Sequence, residues 1–461
     1  MKNTLKKLGT IALVLMLMMS LSVNAFAADF TNGEVGGSST FATDNPQSQD
    51  KTINLVKELT AYNVDETTIN APTVSYTYAI TAGEGGVSIT DAASDHANNT
   101  AVSVLTKAGV NPGAVVMTGQ GQATGTATIA WAPTETLTAS TGGTANTKTL
   151  TVDFSAVVFG AAGVYRYVIT ETPPTSYAAT GVTETTANVN KHVRYLDVYV
   201  RPAPTGFTDG TAASDWDIYG YVCMLENEVI TDAGDTATTG AVKTNGFVAG
   251  TNDGTAYLAD SYYTYNVTVS KTVTNDAWAK ASHAFPFTVL FTNATITQPV
   301  DISKKATGTA AGFTDPASAA LSDGTTKGIL QIKDSSSVKY IGIPNGTQVE
   351  VYETNDVAGV TYQVSTVTDG GTAQVDKAVT SGAYPTEAVS QTAKQAYQST
   401  KTTITPTANA DDDTAHTIAI DNNLQIISPT GVVMRVAPYA LMLIGGFVLL
   451  VISRRRKAEE A

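Results

Sequence analysis

The chain has 461 residues, of which 43% are hydrophobic, 15% charged and 8% aromatic, with a formal net charge of −14. That is enough chain for two domains with real cores, and its acidity argues against nucleic acid as a partner, because holding phosphates needs a basic patch. One cysteine excludes an internal disulfide framework and any cysteine-cluster zinc site. Thr, Ala, Val, Gly, Ser and Tyr dominate, so strand formers alternate with turn residues and the expected fold class is all-β.

The N-terminus reads as an export signal. Lys2, Lys6 and Lys7 precede an apolar run from Ile11 to Val23, and the small-x-small site Ala25-Phe26-Ala27 follows. This is the pattern of a secretory signal peptide over residues 1–27, with cleavage after Ala27. Residues 28–50 are rich in Gly, Ser, Thr and Asn, a flexible lead.

From residue 51 onward a strand pattern appears twice. Ile53-x-Leu55-x-Lys57-x-Leu59 matches Val267-x-Val269-x-Lys271-x-Val273. In both, period two puts a lysine on the same face as the apolar residues, where an ammonium is costly unless something uses it. An aromatic strand follows each lysine, Val74 to Tyr78 in the first copy and Phe285 to Val289 in the second. Each copy then has a Gly-led strand that ends in glutamate. In Gly163–Glu171, Tyr165, Tyr167, Ile169 and Glu171 share a face; in Gly346–Glu353, Val349, Val351 and Glu353 do. Ile418-x-Ile420-x-Asn422 puts an amide on an apolar face at the end of the second copy. These repeats divide the chain into a first domain over 51–262 and a second over 263–426. The first is long for one sandwich, so 83–125 and 172–192 are expected to be loop excursions.

Beyond residue 426 stands Ile427-Ser428-Pro429-Thr430-Gly431, then an apolar stretch from Val436 to Ile452, then Arg454, Arg455, Arg456 and Lys457. The stretch is long enough to cross a bilayer, and the basic cluster would hold its end in the cytoplasm. Pentapeptide, span and basic tail together resemble the cell-wall sorting signal of Gram-positive surface proteins, with Ile for the usual Leu and Ser for the usual first Pro. The resemblance implies that a sortase cysteine attacks the Thr430 carbonyl, releases Gly431 onward and passes the acyl group to an amine. Without leader and tail, residues 28–430 carry a net charge of −20, an acidic surface that favours solvation but names no ligand.

The Lys, Glu and Asn positions, the Gly-x-Tyr-x-Tyr-x-x-x-Glu strand and the closing Ile418–Asn423 segment resemble the streptococcal pilin isopeptide-linkage domain family. The likeness covers most of residues 50–430, strongly at these strands and hardly between them. It implies two tandem immunoglobulin-like β-sandwich domains, the second tied by a self-made Lys–Asn amide and the first either tied through a shifted Asn or without the bond. For the second domain it points to Lys271, Asn422 and the promoting Glu353. For the first it points to Lys57 and the promoting Glu171, with Asn252 or Asn245 as the amide partner. The residue types suit that chemistry: burial strips a lysine of its proton, and keeps a glutamic acid neutral so that it can polarise a carbonyl and shuttle protons.

The expected function is therefore a structural, shaft-type pilin, joined through Thr430 to a lysine of another subunit. Lys243 is the candidate acceptor and Lys191 a second. The implied partners are a sortase, other pilin subunits, peptidoglycan and conceivably a host or surface ligand. No cofactor is expected, and the only catalysis would be self-directed. The alternative from another class is a monomeric wall-anchored adhesin of similar build. Other chemistry is thin. His96, His192, His283 and His416 have no second ligand at helical spacing, Asp411–Asp413 reads as a solvated loop, and Cys223 reads as a small core residue.

Overall fold

The computed structural model describes residues 51–86, 88–91, 102–203, 206–225, 244–252, 255–274, 282–314, 319–324, 326–354, 362–369, 372–374, 377–378, 394–398, 416–424 and 442–449. The leader, the lead over 28–50, His96, Lys243, Asp411–Asp413, Thr430 and Gly431 lie outside these residues. Helix is confined to short pieces, and the architecture is all-β, as the composition requires.

The first sandwich begins with β1 (Thr52–Tyr62), β2 (Val74–Ala82), β3 (Val116–Gly119), β4 (Thr128–Trp131), β5 (Thr144–Asp153) and β6 (Gly163–Thr172). A one-turn helix α1 (Tyr177–Thr180) and the short β7 (Val182–Thr183) lead into β8 (Val193–Pro202), β9 (Trp216–Met224), β10 (Gly246–Phe247) and β11 (Asp260–Thr274). One sheet has the order β3-β5-β1-β11 and the facing sheet β9-β8-β6-β2-β4. Ile53, Leu55 and Leu59 of β1 meet Tyr76, Ile129, Tyr167, Ile169 and Leu196 in one buried core. The other face of β6 is covered too: Gly83 approaches so closely that a Cβ there would sit 2.6 Å from Arg166 Cγ.

The second sandwich adds β12 (Ala284–Thr292), β13 (Lys327–Lys333), β14 (Ser336–Pro344), β15 (Gln348–Thr354), β16 (Tyr362–Asp369), β17 (Lys394–Gln398) and β18 (His416–Leu424). The order β14-β11-β18-β16 faces β13-β12-β15-β17. Val267, Val269 and Val273 pack there with Phe285, Phe287, Leu330, Val351 and Ile420.

β11 belongs to both sandwiches. Its first four residues run parallel to β1, pairing Leu59 with Asp260 through Tyr62 with Tyr263. Its later residues pair with β14 and β18, after a register shift between Tyr265 and Val267. The extra residue at that shift lies on β14, between Tyr340 and Ile343, so β11 keeps its alternation unbroken and turns its even steps to one side and its odd steps to the other. Asp260 and Tyr262 therefore point into the first core, while Val267, Val269 and Lys271 point into the second.

Among the described residues no helix is long and apolar enough to cross a membrane. Residues 442–449, inside the apolar stretch read above as a span, are helical with Met442, Leu443, Ile444 and Phe447 exposed. The rest of that stretch, from 436 to 441 and 450 to 452, lies outside the described residues.

Candidate functional site: a buried lysine between two carboxylates

Alternation along β1 carries Lys57 inward between Leu55 and Leu59, leaving it 3% exposed. Its Nζ stands 3.9 Å from the centre of the Tyr76 ring, with Phe247 of β10 further off. Phe247 reaches this place because Gly246 lies against β1 at a φ of 146°, where a Cβ would be 2.2 Å from the Val56 carbonyl oxygen. The ammonium has two acidic partners. Glu171 Oε1 accepts at 3.0 Å and Asp260 Oδ2 at 2.8 Å. Glu171 is the last inward residue of the alternation in β6, and Asp260 opens β11 on the strand beside β1. Both carboxylates are buried.

Each carboxylate is held from behind. Asp260 Oδ1 accepts from the Thr185 backbone N–H at 2.6 Å, and Oδ2 from the Tyr177 hydroxyl at 3.2 Å. Glu171 Oε2 accepts from the Tyr78 hydroxyl at 2.8 Å. His192 is fixed beside Glu171 by a hydrogen bond from the Glu171 N–H to the His192 carbonyl. Its Nδ1 is 3.0 Å from Glu171 Oε1 and its Nε2 3.0 Å from Glu184 Oε1. Burial pushes the Glu171 carboxyl upward, but Lys57 first, then the hydrogen bonds from His192 and Tyr78, bring it below the ordinary carboxylate range. The bond to Glu171 raises the His192 imidazole against the opposing pull of burial.

The second copy is built alike. Lys271 is fully buried on β11, with Nζ 4.6 Å from the Phe285 ring centre, 3.6 Å from Glu353 Oε2 and 3.4 Å from the Ile420 carbonyl oxygen. Burial pulls its ammonium down to about 8, against the attraction of Glu353. Asn422 stands on β18 opposite Val273, the neighbouring strand to Lys271; its side chain lies outside the described residues.

The structure thus brings Lys57 to Glu171 and Lys271 to Glu353, the two pairs read from alternation. For the first-domain amide the structure shows where the two candidates stand in the backbone. Asn245 is half-buried and its backbone carbonyl accepts from the Val56 N–H, while Asn252 sits in a small hairpin with Thr255, its side chain outside the described residues. The group set against Lys57 is Asp260, which sequence reasoning passed over. The signal for it was present: Asp260-x-Tyr262 is an alternating pair that ends the first repeat.

Lys191, the second acceptor candidate, is 40% exposed and 3.5 Å from Glu184. Cys223 is buried, and burial pushes its thiol up to about 12. Among the described residues no group of three or more His, Cys, Asp or Glu is placed to hold a metal.

Residues 265–386 match a family described as a domain of unknown function (DUF7601). No protein with a curated description matches the chain. Solved structures similar to it include the major pilin T3.2 of Streptococcus pyogenes, at 17% identity over 82% of this chain and 99% of that one, with a TM-score of 0.35. The T-13 major pilin of the same organism is 14% identical over 81% of this chain and 99% of that one, with a TM-score of 0.32. A pilus-presented adhesin is 16% identical over 44% of this chain and 36% of its own, with a TM-score of 0.21.

Proposed function

We propose that the chain is a structural subunit of a Gram-positive surface pilus whose two sandwiches each close with a self-formed amide. The first bond joins Lys57 to Asp260 and the second Lys271 to Asn422. The observation that carries this reading is Lys57 wedged between Glu171 and Asp260 in an aromatic pocket. A buried ion trio of this kind is a poor way to gain stability, since desolvation cancels most of the attraction. As a reactant pair, the same atoms are already within bonding approach, which is most of what an uncatalysed condensation lacks.

The step balances without any co-reactant. The neutral Lys57 amine attacks Asp260 Cγ, forming the N–C bond, while the acid form of Glu171 gives its proton to the carbonyl oxygen of Asp260. Glu171 then takes the surplus proton from nitrogen and passes it to the departing oxygen, so the C–O bond breaks and water leaves, and the amide oxygen returns its proton to Glu171. In the second sandwich the leaving group is ammonia. Sortase would cleave between Thr430 and Gly431 and join Thr430 to a lysine of another subunit or to peptidoglycan. Lys243 remains the first acceptor candidate and Lys191 the second.

Two measurements test the reading. The intact mass of the exported chain should be short by one water and one ammonia, and wall extracts should give a ladder that survives boiling in SDS. A full sequence mass overturns the cross-links. A single anchored species in place of the ladder replaces the pilin with a monomeric wall-anchored adhesin.

A further inference from the structure

Counting protons at the first site exposes a deficit. One ammonium, Lys57, faces two carboxylates, Glu171 and Asp260. The reactive arrangement needs an uncharged amine, an uncharged carboxyl to be attacked and an uncharged carboxyl to donate to it. That takes two protons on the acids, and Lys57 supplies one. The second site has no such deficit, because Lys271 faces Glu353 and the partner proposed for it is an amide. There a single transfer from lysine to glutamate leaves every group neutral.

We propose that His192 supplies the missing proton to Glu171 and takes it back after water has left, so that closure of the first sandwich, unlike the second, is governed by the protonation of this imidazole. This rests on the Lys57–Asp260 reading. Both ring nitrogens lie 3.0 Å from carboxylate oxygens, which only accept, so both contacts are hydrogen bonds when the ring is doubly protonated. The ring is also the connection to solvent: Glu171 is buried, whereas the side chain of Glu184 is 40% exposed. The charged groups around the imidazole are Glu171 of β6, Glu184 after β7, Lys191 beside it and Asp260 of β11. Lys57 of β1 and Tyr78 of β2 reach it through Glu171, and Arg194 lies two residues along β8.

The charges close. Lys57 as ammonium, Asp260 and Glu171 as carboxylates and His192 as imidazolium sum to zero, as do the four neutral forms. Nδ1 releases its proton to Glu171 Oε1, and Lys57 releases one to Asp260. Condensation expels water, and Glu171 then returns its proton to Nδ1, leaving amide, carboxylate and imidazolium. The acid side of the imidazole titration is therefore the active side. The two carboxylate contacts place that titration above the ordinary histidine value of about 6.5.

The test uses the full chain, recovered unlinked from inclusion bodies and refolded by dilution between about pH 5 and about pH 9, a range that spans the imidazole titration. Samples are quenched and digested, and the Lys57–Asp260 and Lys271–Asn422 peptides are quantified by mass in the same tubes. In the wild type, the first bond should form fastest at low pH and slow as pH rises past the imidazole. In His192→Gln it should be about a hundredfold slower at the acid end and flat with pH, within the usual range for a lost proton donor. The second bond should be indifferent to that substitution, which also reports that the chain has folded. Asp260→Asn removes the deficit, so adding His192→Gln to Asp260→Asn should change nothing. A His192→Gln chain with the wild-type rate and profile overturns the inference, as does equal sensitivity in the Asp260→Asn background. Absence of the Lys57–Asp260 peptide at every pH, with the second bond present, overturns the first-domain bond itself and this inference with it.

Discussion

Lys57 Nζ lies 2.8 Å from Asp260 Oδ2, although 203 residues separate the two in the chain. A covalent bond there would close nearly the whole first sandwich into one loop, tying its first strand to its last. By the loop-entropy argument used for disulfides, such a closure is worth about 5 kcal/mol.

Asp260→Asn and Asp260→Ala separate the bond from the pocket. Asp260→Asn should still close, with ammonia leaving in place of water, and should unfold like the wild type. Asp260→Ala cannot close, and its first sandwich should lose about 5 kcal/mol in denaturant unfolding. Equal stability of the two variants would deny the cross-link any stabilising part.

Much of this site was legible in the sequence, for a definite reason. A lysine and a glutamate at the inward step of alternating strands are conspicuous, since period two predicts burial and burial makes their charge expensive. Lys57, Glu171, Lys271 and Glu353 were all found in this way. Asp260 was not, because β11 serves two cores with its opposite faces: Asp260 and Tyr262 lie on the even steps and the apolar residues of the second core on the odd ones. Read as one strand, its apolar run belongs to the second domain and Asp260 falls before it. His192 was weighed only as a metal ligand; its contact with Glu171 comes from the pairing of β6 with β8, which spacing along the chain does not reveal.

The second site should respond to pH through Lys271 itself. Burial draws the Lys271 ammonium down to about 8 from 10.5, so the proton it shares with Glu353 is lost to solvent as pH rises through that value. Refolding the chain at increasing pH should therefore leave the rate of the Lys271–Asn422 bond level up to about pH 8 and slow it beyond. In Asn422→Ala, which cannot close, the folded state binds fewer protons than the unfolded chain between about 8 and 10.5. Its stability should rise with pH across that window, read by denaturant midpoints. A flat profile would show that Lys271 keeps its proton in the core.

Behind the first site, Arg166 and Asp197 form a fully buried two-point ion pair, with Nε and Nη2 each 2.7 Å from a carboxylate oxygen. Burial raises the Asp197 carboxyl despite the pull of Arg166, as expected for charges held away from water. Asp197→Ala would strand a guanidinium and should cost about 3–5 kcal/mol, whereas Arg166→Met with Asp197→Leu should cost far less. Urea unfolding of the two variants gives the comparison, and similar losses would mean the pair acts by packing alone.

The junction between the sandwiches depends on an exchange of amide hydrogen bonds. Asn63 Nδ2 donates to Asn266 Oδ1 at 3.0 Å, and Asn266 Nδ2 donates back to Asn63 Oδ1 at 2.8 Å and to the Val64 carbonyl at 2.6 Å. The Gly342 N–H donates to Asn266 Oδ1 at 3.1 Å, so strand β14 of the second sandwich is held to the end of β1 through one side chain. Lys339 adds an ion pair to Glu66 at 2.7 Å, and Tyr62 stacks at a tilt on Tyr263 with centres 4.4 Å apart. Asn266→Leu fills the volume but takes their partner from the Gly342 N–H and the half-buried Val64 carbonyl, while Asn63 keeps Thr264 Oγ1 and the Glu66 N–H. A buried orphan costs about 1–3 kcal/mol, so a loss of roughly that size is expected at the junction. Because Lys57 and Lys271 lie deep in their own cores, both proposed bonds should still form in this variant. Limited proteolysis should then cut near residues 63–67 while the linked halves stay intact. Protease resistance equal to the wild type would place the stiffness of the joint in the continuous strand β11 rather than in these amides.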